Sequence, residues 1–117
     1  MTVKKPGGTY EVLLDEPNYK VKRIVEHPYE RFSLQYHKHR EEHWVVVEGD
    51  GIVQVNEKEY PAYVRTHWVI LPTQKHRATA GPNGLIFIET QTGDCREEDI
   101  VRLEDDYGRL DSDVVSV

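Results

Sequence analysis

The chain of 117 residues is long enough for one domain with one hydrophobic core. Its 38% apolar and 31% charged residues are typical of a globular protein rather than a disordered one. With 15 basic and 21 acidic residues the net charge is −6, which disfavours the basic face that nucleic acid or an anionic membrane requires. We therefore expect neither a nucleic-acid nor a membrane partner, and no apolar run approaches the roughly 20 residues of a membrane-spanning helix.

The compartment is predicted from two features of the sequence. The lysines near the N-terminus are not followed by the hydrophobic stretch of a secretory signal. The single cysteine, Cys95, excludes an internal disulfide. Both features predict a cytoplasmic protein.

Short segments with β-strand alternation, separated by glycine and proline, run along most of the chain. In chain order the predicted strands span residues 19–26, 31–39, 44–47, 52–55, 60–64, 68–71, 76–79 and 85–91. The charged segment 97–110 is expected to form an ordered strap, and 111–117 a frayed end. No long segment has apolar residues at helical spacing, so the pattern predicts one all-β domain over 1–117, a sandwich or barrel with its core at about 19–109.

Two histidines on one predicted strand suggest a metal site. His37 and His39 are two residues apart, so both side chains should project from the same face of an extended strand, with Cβ atoms about 6–7 Å apart. Imidazoles at that spacing can converge on one ion, and acidic residues follow shortly afterwards. His76, which follows the predicted strand end at Pro72, is the natural ligand from a second strand.

This arrangement resembles the cupin family, whose motif combines a His-x-His pair, a glutamate seven positions before a glycine, and a third histidine after a proline-bounded turn. Counted back from Gly49, the glutamate is Glu42. The resemblance implies a double-stranded β-helix barrel that holds a divalent metal through His37, His39, Glu42 and His76. The short gap between His39 and Glu42 leaves His43 as an alternative fourth ligand.

Three segments, 33–47, 88–93 and 98–109, are similar to the cupin domain of type II mannose-6-phosphate isomerases. In that family the domain usually follows a mannose-1-phosphate guanylyltransferase domain, whose glycine-rich nucleotide loop is not found in this chain. The resemblance therefore implies a metal-dependent isomerase that interconverts mannose 6-phosphate and fructose 6-phosphate, and does not imply guanylyl transfer.

Such an isomerase would need a metal ion for the C1 and C2 oxygens, a base and a site for the phosphate. His43 and Glu89 are the candidate bases. The metal could be Zn, Mn, Fe, Co or Ni, because imidazole and carboxylate ligands suit all of them. The candidate substrate-binding residues include four cations for the phosphate and two amides: Arg40, Lys75, Arg102, Arg109, Gln35 and Gln91.

Other functions remain open at this point. The same barrel could support another metal-dependent reaction, such as that of a dioxygenase or an epimerase, because one fold hosts many chemistries. It could also be a non-catalytic cupin that binds a sugar phosphate. A homodimer is expected, since cupin barrels commonly pair through an edge strand and exposed edges need cover.

Overall fold

The computed structural model describes residues 1–110, and the predicted frayed end at 111–117 lies outside the described residues. Within this range the chain forms β-strands, turns and irregular segments, with no helix. In chain order the strands are β1 (Thr2–Lys5), β2 (Gly8–Glu16), β3 (Tyr19–Glu26), β4 (Leu34–Tyr36), β5 (Arg40–Val55), β6 (Lys58–Tyr63), β7 (His67–Ile70), β8 (His76–Gly93) and β9 (Val101–Glu104).

All strand pairings are antiparallel, and the sheet curls into a half-barrel around β5 and β8. One path of paired strands runs β1-β2-β3-β8-β4-β9, while β5 pairs with β6, β7 and β8. The predicted strap at 97–110 contains β9, which pairs with β4. No described residues form a helix long and apolar enough to cross a membrane.

In two places the structure has one long strand where the sequence predicted two short ones. The predicted strands at 44–47 and 52–55 are joined within β5, and those at 76–79 and 85–91 within β8. The glycine at 49 does not form a turn, because it lies where the register of β5 against β8 shifts. Its φ is +82°, and a Cβ there would lie 2.1 Å from the Gly84 carbonyl oxygen, so only glycine fits between the two strands.

The N-terminal strands β1 and β2 are absent from the predicted elements, although they extend the sheet beside β3. In β3 the inward face carries Lys22, Ile24 and Glu26, and all three are buried. Ile24 joins a core drawn from most parts of the barrel: Phe32, Trp44, Val46, Val53, Ala62, Ile70, Ala78, Ala80, Leu85 and Phe87. Two charged side chains on the inward face of β3 indicate that part of the interior is polar.

Candidate metal centre and cavity

Three predicted ligands meet inside the barrel. His37 follows the end of β4, Glu42 lies near the start of β5, and His76 begins β8. One ligand atom from each residue lies within 4.8 Å of the others, and all three residues are buried. This His/Glu/His cluster could hold a metal ion.

Backbone carbonyls orient the two imidazoles of the cluster. Nδ1 of His37 lies 2.6 Å from the Asp99 carbonyl oxygen, and Nδ1 of His76 lies 2.9 Å from the Gln74 carbonyl oxygen. A carbonyl can only accept a hydrogen bond, so each Nδ1 donates and each Nε2 keeps a lone pair directed at the cluster. Nε2 of His76 is buried without a hydrogen-bond partner among residues 1–110, as expected of an atom reserved for a ligand.

The protonation states of the cluster also suit a cation. Burial, together with the nearby Arg40 charge, lowers the pKa of His37 to about 3, so its imidazole is neutral at pH 7. Burial tends to raise the pKa of Glu42, but the neighbouring His76 and Arg40 outweigh that effect and lower it. A neutral imidazole and an ionised carboxylate are the forms that bind metals. Trp44 Nε1 donates to Glu42 Oε1 at 2.9 Å and fixes the carboxylate.

The structure does not bring His39, the fourth predicted ligand, to the cluster. The chain bends at Lys38 and His39, and the alternation of an extended strand is lost there. The Asp99 carboxylate holds the bend by accepting hydrogen bonds from both backbone amides at 2.9 Å. The His39 side chain is 60% exposed, and its Nδ1 lies 3.6 Å from Asp99 Oδ2.

His43, predicted as a base or alternative ligand, also lies outside the cluster. Side chains alternate along β5, so Glu42 and Trp44 face inward and His43 faces outward. The His43 side chain is 51% exposed and its Nε2 lies 2.9 Å from Glu41 Oε2. It cannot contact a ligand inside the barrel.

A cavity of about 330 Å³ adjoins the cluster, and His37 forms part of its wall. The wall is rich in basic side chains: Lys4, Lys5, Lys22, Arg40, Arg102 and Arg109. Among residues 1–110 its acidic side chains are Glu89 and Glu97. The excess of positive charge in a chain of net charge −6 makes this cavity suited to an anion.

Three of the predicted phosphate contacts, Arg40, Arg102 and Arg109, lie in this wall. Arg109 Nε also donates to Asp105 Oδ2 at 2.9 Å, which orients its guanidinium. Lys75 is absent from the wall, and its Nζ donates to Glu57 Oε2 at 2.5 Å on the surface. The structure therefore does not bring Lys75 to the cavity with the other predicted phosphate contacts.

Of the two glutamines predicted to contact the substrate, one lies in the cavity wall and the other does not. Gln35 lines the cavity and accepts a hydrogen bond from Ser33 Oγ at 2.6 Å. Gln91 is fully buried outside the wall, and its Nε2 donates to Glu89 Oε2 at 2.5 Å. Gln91 therefore positions Glu89, and the structure does not place it in the cavity wall with Gln35. Glu89 itself lines the cavity, and burial together with Glu42 raises its pKa.

None of the three lysines of the wall, Lys4, Lys5 and Lys22, was among the predicted substrate contacts. Lys22 is buried, its Nζ donates to Glu97 Oε2 at 2.6 Å, and it lies 4.1 Å from the centre of the Tyr10 ring. Lys5 lies 3.9 Å above the Phe32 ring, and burial lowers its pKa to about 8. The alternation of Lys22 with Ile24 could have identified Lys22 as an inward-facing residue. Lys5 reaches the cavity only because β1 folds back beside β2, which the sequence pattern did not predict.

Comparison with known proteins places the chain in a family. The family profile described as "Mannose-6-phosphate isomerase C-terminal" matches residues 1–105. The chain belongs to this family. A solved structure shares the fold of this chain: an RmlC-like cupin from Shewanella frigidimarina superposes with a TM-score of 0.75 at 22% identity, covering 84% of this chain and 86% of that one. The predicted all-β cupin fold is therefore confirmed.

Similar curated proteins are much longer than this chain. A mannose-1-phosphate guanylyltransferase of Klebsiella pneumoniae is 34% identical over 110 residues, which cover 92% of this chain and 23% of that protein. The alginate biosynthesis protein AlgA of Pseudomonas aeruginosa is 39% identical over 109 residues, with the same shares of 92% and 23%. The chain thus spans about a quarter of the length of these relatives.

These names correct the predicted activity. The sequence was interpreted as a mannose-6-phosphate isomerase without guanylyl transfer, yet similar proteins from Klebsiella pneumoniae, Escherichia coli and Salmonella typhimurium are named mannose-1-phosphate guanylyltransferases. A guanylyltransferase is a transferase and not an isomerase. The resemblance identified the right family but assigned the wrong reaction.

Proposed function

We propose that this chain is a metal-binding cupin module that binds mannose 1-phosphate and serves guanylyl transfer to that sugar. The observation that carries the proposal is the basic cavity next to the His/Glu/His cluster. A sugar phosphate presents a dianion at one end and hydroxyl groups at the other. The cavity offers cationic side chains beside neutral hydrogen-bonding groups and a metal-binding cluster, and so matches both ends of such a molecule.

The phosphate would contact the cationic wall. Lys5 and Arg109 belong to segments far apart in sequence that both reach the cavity, so their charges can act on one ligand from two directions. Arg109 offers a planar fork for phosphate oxygens, and Lys5 adds a compact charge. The sugar hydroxyl groups would meet Gln35 and Glu89, which can donate to or accept from them.

His37, Glu42 and His76 would hold the metal ion, which when bound supplies positive charge to orient oxygen atoms of the ligand. Two imidazoles and one carboxylate suit Zn, Mn, Fe, Co or Ni, and leave coordination positions open for a ligand. The protein's own part is to keep the His37 imidazole neutral and Glu42 ionised in a buried position.

Calorimetric titration with mannose 1-phosphate tests the proposal. Saturable binding is expected, with free mannose at least tenfold weaker because it lacks the phosphate. Lys5→Gln and Arg109→Gln should each weaken binding of mannose 1-phosphate several-fold and leave the binding of free mannose unchanged. Lys75→Gln is the matched control, because Lys75 lies outside the cavity and its loss should change neither affinity. Equal affinities for the sugar and its phosphate would refute the proposal.

Self-association stays a prediction that we now add to the proposal. Apolar side chains remain exposed on the outer face of β5 and β7, among them Val45, Val47 and Val69. A second copy covering this face would remove them from water. Sedimentation equilibrium distinguishes the alternatives: a dimer is expected, Val45→Lys should dissociate it, and a wild-type monomer at high concentration would contradict the prediction.

A further inference from the structure

The Arg40 guanidinium lies within the metal cluster. Its Nε donates to Glu42 Oε2 at 2.8 Å, and its Nη2 lies 2.8 Å from the same oxygen. Nη2 is also 3.1 Å from His37 Nε2, which accepts a hydrogen bond because Nδ1 of that ring is the donor. The side chain is 5% exposed. One buried cation therefore already engages two of the three residues that could hold a metal.

A metal ion would need the same lone pairs. Nε2 of His37 has a single lone pair, so it cannot accept from Arg40 and coordinate a metal at the same time. Glu42 Oε1 accepts a hydrogen bond from Trp44, and Oε2 is the oxygen that Arg40 holds. A guanidinium does not lose its proton in a protein, so two positive charges would also repel each other at short range.

The cavity offers Arg40 another position. Arg40 lines the cavity wall together with Lys22 and Arg109, so its guanidinium needs to turn only from the cluster toward the adjoining space. Without a ligand in the cavity, the guanidinium in this position would be repelled by the other positive charges of the wall, which would raise its free energy. An anion in the cavity would offset this repulsion by pairing with the guanidinium.

We propose that Arg40 and the metal ion exchange places: the metal takes His37 and Glu42, and the released guanidinium binds the phosphate of the ligand in the cavity. The choice of phosphate as ligand rests on the proposed function. Metal and anion then strengthen each other's binding by the same factor, since linkage between two binding sites is reciprocal. Arg40 is in this scheme a positioning and ligand-binding residue that couples the two sites.

The coupling can be measured on the wild-type protein with Co²⁺ as the metal and sulfate as the dianion. Co²⁺ affinity is determined from the visible absorption of the bound ion, with and without sulfate, and chloride keeps the ionic strength constant. Sulfate should tighten Co²⁺ binding by about tenfold, the size of one charge-assisted hydrogen bond. An unchanged Co²⁺ affinity would overturn the exchange.

Arg40→Met separates the exchange from simple attraction between a cation and an anion. Without sulfate the variant should bind Co²⁺ about tenfold more tightly than the wild type, because no guanidinium competes. The effect of sulfate should fall below twofold. Arg96→Met is the matched control: its side chain is exposed and bonded to Asp94, so wild-type behaviour is expected. A variant Arg40→Met with wild-type Co²⁺ affinity or a retained sulfate effect would refute the proposal.

The two proposals fail in different ways. If mannose 1-phosphate binds but Arg40→Met leaves Co²⁺ affinity and sulfate coupling unchanged, the exchange is wrong and the proposed function stands. If sulfate coupling depends on Arg40 but mannose 1-phosphate does not bind, the exchange stands and the proposed function is wrong. A wild-type protein that binds no Co²⁺ with or without sulfate refutes the exchange, because sulfate should release Arg40 from the cluster.

Discussion

The pH dependence of stability tests the protonation state of Glu26, a buried carboxyl group on β3. Its side chain is almost fully buried, and neither carboxylate oxygen has a hydrogen-bond partner among residues 1–110. Burial raises the pKa of Glu26 from 4.5 to about 9, so the folded protein keeps this carboxyl protonated at pH 7. In the unfolded chain the carboxyl ionises near pH 4.5. Between these two values the folded state binds one more proton than the unfolded state.

The sign and size of the effect follow from that difference in protons. Stability contributed by Glu26 is greatest below pH 4.5 and is lost as the pH rises toward 9, at about 1.4 kcal/mol per pH unit. Glu26→Gln removes this dependence. The free energy of unfolding of the variant, relative to wild type, should therefore increase by up to about 3 kcal/mol between pH 6 and pH 8.

Urea unfolding followed by tryptophan fluorescence at pH 6, 7 and 8 measures this difference. The range ends at pH 8 because the pKa of Lys5, lowered by burial to about 8, adds an opposite dependence at higher pH. Glu16→Gln, at the exposed end of β2, serves as the control and should shift stability equally at every pH. If the Glu26→Gln difference is also the same at all three values, the carboxyl is ionised in the folded state and the reasoning is wrong.

Three further predictions follow from the geometry. His76→Gln should abolish the rise in melting temperature that Zn²⁺ produces, whereas His39→Gln should retain it, because only His76 belongs to the cluster. Gly49→Ala should lower the free energy of unfolding by about 2 kcal/mol or more in urea, because φ is +82° and backbone crowds the new Cβ. Tyr107→Phe should lower the free energy of unfolding by about 1 kcal/mol in the same assay, because it removes the 2.6 Å hydrogen bond to Glu30. An unchanged urea midpoint would contradict either of these two stability predictions.

Local pattern was sufficient for the architecture and for part of the site. Short alternating segments between glycine and proline predicted an all-β sandwich or barrel, since side-chain period and turn chemistry depend on neighbouring residues. The position of His76 after Pro72, and the resemblance to the cupin motif that points to Glu42, selected residues that do come together. The strand β3 was predicted with the bounds that the structure has, 19–26.

Contacts between distant segments decided the rest. His37 and His39 would share a face on a regular strand, but Asp99, 60 residues farther along, binds the backbone of His39 and turns its side chain outward. Lys5 reaches the cavity because β1 pairs with β2, and β2 with β3, around the barrel. Sequence spacing describes which side chains can be neighbours along one strand. Which charges surround a buried cluster depends on where several strands meet, and that is set by the pairing of the whole sheet.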